Sequence, residues 1–181
     1  MDVKTVAVIG AGTMGAGIAQ VCAQTGWETR LHDAFSEVLQ NGMESIHSFW
    51  DNGITRGKTT EQQKSEWSSN LSSYEDMGEA VAGADLVIEA VPEVMDLKQR
   101  IFCKLEEMAP ANAILATNTS GLQISEIAEA TGCPERVIGM HFFNPVPLMG
   151  LLEIIRHDSC SESTIITAQS IGSAMGKETI L

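Results

Sequence analysis

The stretch VAVIGAGTMGAGIAQ, residues 6–20, most narrows what this chain can fold into. An apolar run over 3–9 leads into Gly10-Ala11-Gly12-Thr13-Met14-Gly15, and a helical pattern over 13–24 follows at once and stops at Gly26. In a strand–G-x-G-x-x-G–helix unit each glycine has a separate task. The first makes the tight turn, the second lets the backbone approach a pyrophosphate, and the third lets helix and strand pack closely. The helix N-terminus then offers free N–H groups and the positive end of its dipole to the phosphates. The hexamer alone also fits an ordinary tight turn, so the context decides. A second strand over 28–32 ends at Asp33, 23 positions after Gly10. A carboxylate there accepts from the ribose hydroxyls and repels a 2′-phosphate, which predicts NAD over NADP. Arg30 has the opposite charge but lies inside the strand, short of the loop.

Strand-like and helix-like segments alternate along the rest of the chain. Helices are predicted over 35–50, 59–67 (Thr60 as N-cap), 76–82, 93–108 (stopped by Ala109-Pro110), 125–131 (Ser125 as N-cap) and 161–175, the last closed by Gly176. Strands are predicted over 71–74, 85–91, 113–117, 137–141, 151–156 and 178–181. Such alternation defines an α/β class, a Rossmann-type doubly wound, mostly parallel sheet covered on both faces. One NAD-binding domain is expected to occupy 1–181. The chain stops inside a strand pattern, so it reads as a piece of a longer protein.

Composition removes several alternatives. A formal net charge of −13 over 181 residues is the reverse of the basic stripes that nucleic acid or an anionic membrane requires. An acidic chain can still hold an anionic cofactor through local backbone N–H groups. Cys22, Cys103, Cys133 and Cys160 form no C-x-x-C pair, so neither a metal site nor a redox motif is expected, and the scatter fits reduced thiols in a cytoplasm. The N-terminal apolar run is too short and Asp2 too acidic for a signal peptide, and no apolar run reaches membrane-spanning length.

Three further stretches put polar residues where strands should end: ATNTSG around Ser120, MHFFNP from Met140 to Pro145, and LLEII around Glu153. Ligands in open α/β sheets bind at the carboxyl ends of strands, so Ser120 and His141 are expected on the cofactor's edge. A lone carboxylate in an apolar run is costly unless paired, and a histidine is its natural partner. Glu153 beside His141 would fix the imidazole tautomer and stabilise the positive charge the ring takes on with a proton, as removal of an alcohol proton during hydride loss requires. An exposed edge-strand Glu153 and a core His141 are the plainer alternative. His32, His47 and His157 read as surface residues, and 44–58 and 60–66 as solvated helix faces.

Taken together, VIGAGTMGAGIAQ, ADLVIEAVPE with Lys98 following, ATNTS and GMHFFNPVPLMGLLEII resemble the NAD-binding domain of the L-3-hydroxyacyl-CoA dehydrogenases, especially the bacterial 3-hydroxybutyryl-CoA type, in the right order across the whole chain. The resemblance implies roles by position. Ser120 would hold the substrate oxygen and touch the cofactor, His141 would be the base and Glu153 the carboxylate orienting it. Asn144 would lie near the nicotinamide, Glu93 and Lys98 would line the cofactor pocket, and Asp33 would bind the ribose. The implied reaction is reversible oxidation of a (3S)-3-hydroxyacyl-CoA, short-chain by resemblance, to the 3-ketoacyl-CoA. The family pattern has a lysine where this chain has Gly150. It also continues into a helical second domain that supplies part of the acyl-CoA pocket and a homodimer interface. Two other readings use the same glycine loop: a dehydrogenase of a free hydroxy acid, gulonate- or carnitine-like, and a non-catalytic NAD-binding module.

Overall fold

The computed structural model describes residues 2–181. Eight strands form one sheet: β1 (Thr5–Ile9), β2 (Glu28–His32), β3 (Leu71–Tyr74), β4 (Leu86–Glu89), β5 (Ile114–Thr117), β6 (Val137–Phe142), β7 (Leu151–Ile155) and β8 (Glu178–Ile180). Among the described residues seven α-helices accompany them, α1 (Thr13–Thr25), α2 (Ser36–Thr55), α3 (Glu61–Ser69), α4 (Met77–Val81), α5 (Met95–Met108), α6 (Ile124–Glu129) and α7 (Glu162–Ala174), with a short 3-10 helix, Pro134–Arg136, leading into β6. The order across the sheet is β3-β2-β1-β4-β5-β6-β7-β8, and every adjacent pair is parallel except β6–β7. This is the doubly wound, mostly parallel α/β sheet expected from the alternation of segments.

The burial pattern explains the two-sided cover. Along β1, Val6 and Val8 enter one apolar cluster with residues of α1, α2 and α7, while Ala7 and Ile9 enter the other with residues of α4, α5 and α6. Successive side chains of a strand point to opposite faces, so a strand apolar at every position needs helices on both. The chain winds outward from β1 to β3, then crosses back to β4 and winds the other way. A crevice therefore opens at the carboxyl ends of β1 and β4, where the order reverses.

Several local expectations need correction. Helix α5 starts at Met95 rather than 93, because Glu93 sits in a turn and directs its carboxylate to the loop after β5. Ser125 does not cap α6. Gln123 occupies that position without a side-chain bond, and the buried Ile124 is already helical. Thr60 caps α3 as predicted, in a reciprocal box with Gln63. His32 is buried, with Nδ1 3.0 Å from the Tyr74 carbonyl oxygen; His157 bonds the Val137 carbonyl oxygen; His47 stacks edge-on against Trp50. None of the three is a free surface histidine. Arg30 is held away from the glycine loop by Glu28 and the Ala82 carbonyl oxygen. No helix among the described residues is long and apolar enough to cross a membrane.

Candidate active site

A cleft of about 870 Å³ occupies the crevice. Its lining comes from the ends of five parallel strands and the segments that leave them: Gly10, Gly12, Thr13 and Met14 after β1, Asp33 after β2, Glu93 after β4, Ser120 after β5, and His141 near the end of β6 with Asn144 just after it. Sequence positions spread over more than a hundred residues thus meet at one sheet edge. The side chains lining the cleft include the carboxylates Asp33 and Glu93 but no lysine or arginine, so an anionic group here must be held mainly by backbone N–H donors.

The glycine loop is shaped for that task. Gly10 has φ +103°, and a Cβ on it would lie 2.7 Å from the Ala90 carbonyl oxygen at the end of β4. A Cβ on Gly15 would lie 1.7 Å from the Gly10 carbonyl oxygen, so only glycine lets α1 start this close to β1. Gly12 behaves differently: a Cβ there meets nothing within 4 Å, leaving its backbone open to the cleft. Gly12 is also the N-cap of α1 and supplies no side-chain acceptor to the first-turn N–H groups. Asp33 braces the loop. Its Oδ2 accepts the Ala11 N–H at 2.8 Å and its Oδ1 the Phe35 N–H at 2.9 Å. Each oxygen keeps a second lone pair for a ribose hydroxyl. The residues present therefore fit a dinucleotide: 10–15 for its pyrophosphate and Asp33 for its ribose. Phe35, the N-cap of α2, and Val38 in its first turn are exposed and form part of the cleft wall.

At the opposite end, His141 and Glu153 face each other across the antiparallel β6–β7 pair. Directly opposed residues in such a pair share one face of the sheet. The imidazole Nδ1 lies 2.6 Å from Glu153 Oε2. With Nδ1–H donating to the carboxylate, Nε2 is the ring's basic atom. The His141 side chain is 18% exposed and Glu153 35%, so the pair stands at the lip of the cleft rather than in the core. The Phe143 ring packs on the imidazole, with centroids 4.7 Å apart.

Between these ends lies a network that sequence reasoning largely missed. Glu89, fully buried at the end of β4, accepts from Lys98 Nζ at 2.6 Å, from the Val91 N–H at 2.7 Å and from the Thr117 hydroxyl at 2.7 Å. Lys98 also lies 3.8 Å from Glu93 Oε1. Glu93 in turn accepts the Thr119 hydroxyl at 2.7 Å and the Ser120 N–H at 3.3 Å. Lys98 thus stands behind the cleft wall, its side chain 1% exposed, while Glu93 forms part of that wall. Asn118 ties the segment after β5 to the end of β6, its Oδ1 accepting the Phe142 N–H at 2.9 Å. Gly42 was also missed: a Cβ there would come within 2.6 Å of the Ala11 carbonyl oxygen, so its bareness lets α2 pack against the glycine loop.

Fold and cleft together define a Rossmann-type NAD-binding domain with a histidine–carboxylate pair at its lip. Residues 5–181 match the family model described as the 3-hydroxyacyl-CoA dehydrogenase, NAD binding domain. The chain belongs to this family. It is 40% identical over 180 residues to a probable 3-hydroxybutyryl-CoA dehydrogenase of Bacillus subtilis (strain 168), covering 99% of this chain and 62% of that protein. A 3-hydroxybutyryl-CoA dehydrogenase of Bradyrhizobium diazoefficiens is 38% identical, with 97% and 60% covered. The crystal structure of 3-hydroxybutyryl-CoA dehydrogenase from Escherichia coli K12 superposes with a TM-score of 0.96 at 38% identity, over 99% of this chain and 38% of that one. The chain therefore spans about three fifths of the length of the two curated relatives, 62% and 60%.

Proposed function

We propose that this domain serves the reversible oxidation of a short-chain (3S)-3-hydroxyacyl-CoA to the 3-ketoacyl-CoA. The supporting observation is the 2.6 Å His141–Glu153 pair at the lip of a cleft whose other end is a glycine loop braced by Asp33. NAD⁺, when bound, supplies the hydride acceptor. His141 Nε2 takes the hydroxyl proton of the substrate as the carbinol carbon loses hydride. Glu153 holds the Nδ1–H tautomer and stabilises the positive charge on the protonated ring. The Ser120 hydroxyl, in the loop pinned by Glu93, donates to the substrate oxygen in both oxidation states. Asn144 orients the cofactor's amide end. Glu93 and Lys98 keep the wall beneath it in place, and Asp33 excludes a 2′-phosphate.

The acyl-CoA substrate and a homodimeric holoprotein are part of the same reading, supported by the relatives' names and the family pattern. A cytoplasmic setting is proposed as well, supported by four unpaired cysteines. The test is acetoacetyl-CoA reduction by NADH in the protein that carries this domain. His141→Gln should lower turnover about 10²–10⁴-fold with the NADH dissociation constant unchanged. Near-normal turnover in that variant would remove His141 from the chemistry. A wild-type protein that ignores the thioester but oxidises a free hydroxy acid would replace the substrate class.

A further inference from the structure

Lys177 is a buried cation with no carboxylate beside it. It is 8% exposed and sits in the turn between α7 and β8. Its Nζ donates to the Val146 carbonyl oxygen at 2.9 Å and the Met149 carbonyl oxygen at 2.7 Å, and stands 5.9 Å from the centroid of the Phe142 ring. All three groups belong to one short stretch of chain, the end of β6 and the loop that joins it to β7. Burial pushes the ammonium below the usual lysine range. An apolar side chain would fill the space without desolvating a charge, so the lysine's distinguishing contribution is its hydrogen bonds.

That loop, residues 143–150, connects the strand of His141 to the strand of Glu153. Its first half has anchors besides the Lys177 bond to Val146. Val146 is buried against α1, where a Cβ on Gly17 would come within 3.0 Å of the Val146 Cβ. The Pro145 carbonyl oxygen accepts the N–H groups of Leu148 and Met149. The second half has little packing of its own, with Leu148 68% and Met149 39% exposed. It is tied to β8 by the Glu178 N–H on the Gly150 carbonyl oxygen and by Lys177 on Met149. His141 is one residue from the end of β6, and Glu153 is the third residue of β7. A hairpin whose closing loop loosens frays first at those positions, and a one-residue slip would turn Glu153 to the other face.

We infer that Lys177 is a positioning residue for the His141–Glu153 pair: it clamps the second half of the connecting loop and so keeps the carboxylate opposite the imidazole. The inference rests on the proposed role of that pair, but its test needs no turnover. In the 181-residue chain with ¹⁵N-labelled histidine, the His141 Nδ1–H proton reports the bond to Glu153 directly through its exchange with solvent. Lys177→Met leaves the buried Val146 carbonyl and the part-buried Met149 carbonyl without this donor and should speed that exchange about 10–100-fold, while amides of α1 and α5 stay protected. Lys177→Arg, which keeps donors on a long stem, should preserve the slow exchange. If the methionine variant fails to fold, Lys177→Gln is measured the same way with the same acceleration expected. A variant that melts earlier yet keeps His141 Nδ1–H exchange at the wild-type rate would show a merely structural lysine and overturn the inference. Failure here leaves the dehydrogenase reading intact, because that reading is judged by thioester turnover.

Discussion

Lys98→Met tests whether the ionic network behind the cleft wall holds the Ser120 loop. The Lys98 ammonium and the Glu89 carboxylate meet at 2.6 Å with side chains 1% and 0% exposed. Removing one member of a fully buried pair leaves the other charge uncompensated, at about 3–5 kcal/mol. Glu89 would keep its bonds from the Val91 N–H and the Thr117 hydroxyl, which places the expected loss near the lower end, about 3 kcal/mol. For a domain of this size about 2–4 °C is lost per kcal/mol, so Tm should fall by roughly 6–12 °C. The assay is urea and thermal unfolding of the wild-type chain, Lys98→Met, Glu89→Gln and the double variant. Replacing both charges by neutral groups removes the stranded carboxylate, so the double variant should be more stable than Lys98→Met, with a coupling energy of about 1–3 kcal/mol. NADH binding should weaken in the single variant, because Glu93 loses its nearby cation and with it a fixed hold on Ser120 and Thr119. A loss below about 1 kcal/mol for Lys98→Met, with no recovery in the double variant, would refute the idea that the pair is energetically committed.

Asp33→Ala should weaken NADH binding about 10–100-fold in isothermal titration and narrow the preference over NADPH, because it removes both the brace on Ala11 and the charge that repels a 2′-phosphate; unchanged affinities for the two cofactors would exclude that role. Burial pushes the Cys22 thiol up to about 12 from 9.0. The unfolded chain therefore releases this proton from about pH 9 upward while the folded chain retains it, so the Cys22 contribution to stability falls as pH rises through that window. The stability difference between wild type and Cys22→Ala should shrink from pH 8.5 to pH 10.5, as ~2 pH units within that window allow, and a difference that stays flat would contradict the assignment. A thiol reagent at neutral pH should leave Cys22 unmodified until the chain unfolds.

The rule that marked Glu153 also applies to Glu89. Both are single carboxylates inside apolar runs, LLEII and LVIEAV, and both are paired in the structure, with His141 and Lys98. The first partnership was legible because a motif-bearing histidine stood twelve residues away. The second was not, because the run around Glu89 reads as a buried strand throughout and Lys98 reads as one more polar residue of a helix. Lys177 left still less trace: a lysine after a helix-closing glycine looks like a solvated turn residue, and only the return of β8 alongside β7 buries it. The departure at Gly150 is not forced by crowding at the backbone, since a Cβ there would meet nothing within 4 Å.

The amino-acid sequence by itself determined the order of strands and helices, the glycine turn with its acidic partner at Asp33, and the identity of the residues at the strand ends. These are local matters, carried by periodicity, turn chemistry and spacing along the chain. Tertiary structure alone decided that β7 runs against β6, the register that sets the expected partners Glu153 and His141 directly opposite each other. It also decided that Lys98 stands behind the cleft wall and Glu93 on it, and that Phe35 and Val38 line the cleft. Those outcomes depend on which segments lie side by side, and burial, which sets the energy of every charge in the site, is defined only once they do.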